Sequence, residues 1–77
     1  MTTGAQIRAA RALLGWSQTE LARAAKISRP SIDRAERTNV SDDTLKDIQG
    51  ALEKAGIIFI AENGDGPGVK LRKRRPR

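Results

Sequence analysis

The side chains best able to do chemistry sit close together in one stretch: Arg29-Pro30-Ser31-Ile32-Asp33-Arg34-Ala35-Glu36-Arg37. Its three guanidiniums are forked donors that fit planar acceptors, either a phosphate or the O6 and N7 of guanine bridged by two hydrogen bonds. Ile32 and Ala35, three residues apart, fall on one side of a helix and would face inward. Arg29, Ser31, Asp33, Arg34 and Arg37 are left for the other side. Gln18 opens an earlier helix, where unpaired backbone N–H groups and the dipole favour an anion. Catalysis has far less to work with. The chain has no His, no Cys and no Tyr, and its nine acids are scattered in capping or surface contexts. Neither a disulfide scaffold nor a thiolate metal site is available. No enzyme, cofactor or metal is expected.

Two short helices must position these groups. Ser17 is an N-cap candidate with Glu20 three residues on as its capping-box partner, and Trp16 with Leu21 can form a hydrophobic staple. The same grammar repeats at Ser28, with Ile27 before it and Ile32 four residues later. Pro30 is tolerated in the first turn and biases Arg29 away from helical geometry, so either Ser28 or Arg29 can be the cap. If it is Ser28, its acceptor must serve Ser31, because Pro30 has no N–H. Lys26-Ile27-Ser28 leaves room only for a sharp corner between helices spanning about 18–25 and 29–37. This is a helix-turn-helix unit, whose second helix can enter the DNA major groove.

With Gln18, Ala22, Ile32 and Glu36 in their places, residues 4–55 resemble the helix-turn-helix domain of lambdoid phage repressors and Cro-like and XRE-like bacterial regulators. The resemblance implies a mostly α fold: a four-helix lambda-repressor-like DNA-binding domain, here followed by a C-terminal β-hairpin. It implies base reading by Arg29, Pro30, Asp33 and Arg34, and phosphate contacts from Gln18, Thr19, Ser31 and Arg37. Asp33 could accept from a cytosine amine or orient Arg29 or Arg34, and orientation is favoured. A structural pair between Arg11 and Glu36 is also implied. The family often has Gly where this chain has Lys26; a non-Gly residue in the left-handed conformation costs on the order of 1–2 kcal/mol.

The remaining chain reads in order. Thr3 to Gln6 is a capping-box start for a first helix ending near Leu14, with Gly15 as its stop. Ile7, Ala10 and Leu14 would face the core, while Arg8 reads as solvated. Trp16 could stack on a base, but its staple position favours a core or lid role. Ser41 caps a fourth helix over about 42–55, with Asp42 and Asp43 complementing its dipole and Leu45, Ile48 and Leu52 as its buried stripe. After Gly56, Ile57–Ala61 and Val69–Lys73 read as two strands around a turn-rich segment.

Charge is unevenly placed. Residues 1–40 carry seven basic and three acidic side chains, 41–69 two and six, and 70–77 six basic and no acid, within a net charge of +6. The basic tail is either a solvated solubility device or, with the basic first half, part of a nucleic-acid footprint. The organisation expected is a DNA-binding domain over 1–56, a hairpin dimerisation element over 57–73 and a mobile basic tail over 74–77. Ile57, Ile58, Phe59, Ile60, Val69 and Leu71 would form the dimer interface, because an isolated hairpin is marginal and a second copy would close its open edge. The chain has no apolar run of membrane-spanning length and no signal-peptide core, so it is expected in the cytoplasm of a bacterium or of phage origin, on the nucleoid. Its partners would be double-stranded DNA and a second copy. A sequence-specific, dimeric transcriptional repressor is the favoured function. The rivals are a protein-interaction module such as an antitoxin or anti-activator, and a non-specific nucleic-acid chaperone.

Overall fold

A computed structural model of the chain describes residues 2–72. Four helices come first: α1 (Gly4–Leu14), α2 (Gln18–Ala25), α3 (Arg29–Arg37) and α4 (Asp42–Lys54). Two strands follow, β1 (Ile57–Ile60) and β2 (Gly68–Leu71). Each helix begins on a hydroxyl cap. Thr3, Ser17, Ser28 and Ser41 accept from the N–H of Gln6, Glu20, Ser31 and Thr44, three residues on. Thr3 and Ser17 carry complete capping boxes. Ser28 is therefore the cap of α3, and its acceptor skips Pro30 to reach Ser31.

The helix ends differ. Gly15 closes α1 in the left-handed conformation, and Lys26 does the same for α2 with φ 60°. Lys26 is the only non-glycine with positive φ among the described residues. Its N–H still satisfies carbonyls at the end of α2, so the corner keeps its shape at the steric cost of a Cβ.

The core joins all four helices and the start of the hairpin: Ile7, Ala10, Leu21, Ala22, Ile32, Ala35, Ile48, Leu52 and Ile57. Trp16, Ile27 and Val40, the residues before three of the caps, are partly buried against it. Trp16 thus acts as a lid over apolar side chains. One glycine is required by proximity rather than conformation. A Cβ on Gly4 would run into the backbone carbonyls of Ala35 and Glu36, so the first turn of α1 sits directly against the last turn of α3.

The strands pair antiparallel, Ile57 with Leu71, Ile58 with Lys70, Phe59 with Val69 and Ile60 with Gly68. The Arg72 N–H extends the ladder to the Gly56 carbonyl at 2.7 Å. Opposed residues share a face, so Ile57, Phe59, Val69 and Leu71 lie on one side and Ile58, Ile60 and Lys70 on the other. This corrects the expected interface. Ile57 is 1% exposed and belongs to the protomer's own core, while Phe59 and Val69 pack partly against that core. Ile60 and Leu71 remain exposed, at 37% and 43%. The second strand also begins at Gly68, a residue earlier than the alternation from Val69 suggests, because Gly68 is needed opposite Ile60. Residues 73–77, including the basic tail, lie outside the described residues.

Buried Gln6 holds the hairpin down. Its Oε1 accepts from the Thr3 N–H, and its Nε2 donates to the carbonyls of Gly68 (2.9 Å) and Ile60 (3.3 Å). Both ends of the amide are used, which is what a buried amide requires.

Candidate nucleic-acid interface

One side of α3 is held by the core and the other faces solvent. Ile32, Ala35 and Glu36 are buried; Arg29, Pro30, Arg34 and Arg37 are exposed, and Ser31 and Asp33 lie between. Nine residues thus separate a fixed inner side from an outer side rich in guanidinium.

The inner side is anchored by charge as well as by packing. Arg11 and Glu36 meet as two forks, Nε to Oε2 at 2.6 Å and Nη2 to Oε1 at 2.9 Å. The Arg11 Nη1 also donates to the Trp16 carbonyl at 3.1 Å. The Glu36 side chain is 3% exposed and that of Arg11 20%, so this is a largely desolvated, bidentate pair. Its hydrogen bond to Glu36 raises the Arg11 pKa above the ordinary value, against the effect of burial. Arg8, which reads as a solvated residue, donates to the Glu36 backbone carbonyl and so satisfies a carbonyl in the last turn of α3. No local motif announces that contact; it follows from the approach of the two helices at Gly4.

The outer side carries a second network. Gln18, at the start of α2, accepts from Arg29 Nη1 at 2.9 Å through its Oε1. Its Nε2 lies 3.3 Å from Asp33 Oδ1 and 3.2 Å from Glu36 Oε1. The other Asp33 oxygen takes Arg37 Nη2 at 2.6 Å. Asp33 pairs with Arg37 rather than with Arg29, which is equally one turn away, because an acid four residues before a base is the better-oriented pair and the Arg29 guanidinium is held by Gln18. The Gln18 hydrogen bond, followed by the charges of Arg37 and Arg29, holds the Asp33 carboxyl below its ordinary 3.8 despite the opposing effect of desolvation. The Arg34 side chain is exposed and has no side-chain partner among the described residues. Ser31 shares a hydroxyl contact with Ser28 at 2.8 Å, and Thr19 is exposed beside Gln18.

The structure thus brings Gln18, Arg29, Asp33 and Arg37 together, with Thr19, Pro30, Ser31 and Arg34 around them. A short helix fixed on its inner side by Ile32 and Glu36, with a preceding helix whose first residue touches it, defines a DNA-binding module. The chain belongs to the helix-turn-helix family of the XRE/Cro/CI type, which it matches over residues 7–55. No curated protein matches the chain. The family carries DNA binding, and no catalytic family is indicated. Among the described residues no helix is long and apolar enough to cross a membrane.

Proposed function

We propose that this chain is a homodimeric, sequence-specific transcriptional repressor that occludes a promoter by binding a two-fold symmetric operator. The observation that carries the reading is the outer side of α3, where Arg29, Arg34 and Arg37 lie along one short helix whose inner side cannot turn. Arg29 and Arg34 read base edges, Pro30 gives apolar contact and Asp33 lies among them. Gln18, Thr19, Ser31 and Arg37 contact phosphate.

The hairpin supplies the second copy. Among the described residues it has two strands, and the ladder leaves the N–H and C=O groups of Phe59 and Val69 pointing away from the partner strand. Exposed Ile60 and Leu71 sit beside those open edges. Pairing through this element would set two recognition helices about 34 Å apart, one turn of the duplex.

Selection of bound duplexes from a random pool, with the stoichiometry of the complex measured, tests both parts. The expected product is two related half-sites occupied by two chains. Arg34→Ala should weaken binding to the selected site by about 1–3 kcal/mol and relax one or two base pairs. Leu71→Lys should leave a folded monomer that binds a half-site weakly. A parent protein that stays monomeric and enriches no sequence would instead favour a protein-interaction module using the same hairpin surface.

A further inference from the structure

We infer that Asp33 is a specificity-determining residue, the internal counter-ion of Arg37, which competes with phosphate for that guanidinium and so holds down binding to non-cognate duplex. The inference rests on the reading of α3 as the DNA-contacting helix.

Two of the three arginines on the outer side are already occupied. Arg37 is bound by Asp33 at 2.6 Å, and Arg29 is bound by Gln18, whose amide also reaches Asp33. Arg34 alone is uncommitted among the described residues. Every duplex offers phosphate, whatever its sequence. A phosphate that takes the Arg37 guanidinium meets the Asp33 carboxylate already bound to Nη2, and it must either accept that negative charge beside it or strip Asp33 of its counter-ion. That cost falls on all sequences alike. It is offset only where a donor stands in reach of Asp33, and cytosine N4 is a base-edge donor in the major groove from which a carboxylate accepts. A uniform cost with a sequence-dependent offset is discrimination by disfavouring the wrong partner. The carboxyl is held below its ordinary range and so stays ionised throughout neutral pH, which keeps the competitor in place.

The test uses the full chain and two duplexes, one selected by the parent and one of random sequence, with affinity measured against salt. Asp33→Asn keeps an acceptor for Gln18 and removes the charge. It should tighten binding to the random duplex by about three- to tenfold, steepen its salt dependence by about one released counterion, and lower the selected-to-random ratio. In an Arg37→Gln background the same substitution should still relieve the repulsion between carboxylate and phosphate, but it frees no guanidinium and so should leave the salt dependence unchanged. Asp43→Asn, at an exposed acid on α4 outside the network, should change random binding by less than about twofold. Thermal melting of each variant confirms that it is folded. A steepening of the salt dependence by Asp33→Asn that persists without Arg37, an effect on random binding that equals that of Asp43→Asn, or no effect at all would overturn the inference. A parent with no preference for any duplex, or an Arg34→Ala variant that binds like the parent, would overturn the reading of α3 itself and the inference with it.

Discussion

Two ion pairs of the same length lie on neighbouring faces of α3, one turned toward the core and the other toward solvent. Arg11–Glu36 and Arg37–Asp33 are each 2.6 Å long, yet one is closed in with 3% of the Glu36 side chain exposed while Arg37 is 73% exposed. Their partners differ too. Glu36 receives three donors from two residues, and Arg11 fastens a carbonyl besides. Among the described residues Arg37 has only Asp33. Distance alone would rank the pairs as equals, but desolvation and the number of shared partners separate them. The inner pair holds the helix in place, and the outer one can be exchanged for a ligand at little cost to the fold.

Breaking the inner pair should have the largest effect. Arg11→Ala leaves the Glu36 carboxylate buried without its counter-ion, and a loss of about 3–5 kcal/mol is expected in chemical denaturation. A loss no greater than that of an exposed control such as Glu53→Ala would erase the contrast between the two sides. Gln18→Ala comes next, because Gln18 belongs to both sides. It removes one donor from Asp33 and one from Glu36, and the loss at buried Glu36 should cost about 0.5–1.5 kcal/mol of stability. The same variant should loosen DNA binding evenly across sequences, as loss of a phosphate contact does.

The smallest effect is a titration. Followed by NMR, the Asp33 carboxyl should protonate below 3.8, and Gln18→Ala should bring it back toward that value. The sign is that of a depressed acid. Whatever Asp33 adds to stability is present above its unfolded pKa and is lost as pH falls through the lower folded one. Arg37→Gln should raise it as well, since Arg37 lowers the Asp33 pKa both by its charge and by its hydrogen bond.

Local grammar made much of this legible in advance. The hydroxyl caps at Thr3, Ser17, Ser28 and Ser41 follow from residues three or four positions apart, and so do the helix starts. The change of period after Gly56 marked the hairpin for the same reason. What could not be read depends on distant backbone. Gln6 reaches Gly68, 62 residues away, and Arg8 reaches the Glu36 carbonyl because α1 and α3 touch at Gly4. Ile57 reads as an interface residue from its apolar neighbours, but only the packed core shows that its place is already taken. That difference has a practical side: cutting the chain after Gly56 removes a core residue together with the hairpin, so exposed Ile60 and Leu71 are the positions at which the proposed association can be tested without unfolding. On the outer side of α3, three arginines and one acid allowed several pairings; Arg29 and Arg37 are both one turn from Asp33, and the contact of Arg29 with Gln18, on another helix, decided between them.

Gly4 and Gln6 stand two residues apart in α1, one against the end of α3 and the other under the hairpin. Together they make the helix a crossbar with a fulcrum at one point and a load at another. No side chain can be fitted at the fulcrum without prising the bar off α3, and the bar takes the hairpin with it. The angle between the recognition helix and the sheet is therefore mechanically geared to the space for a single methyl group.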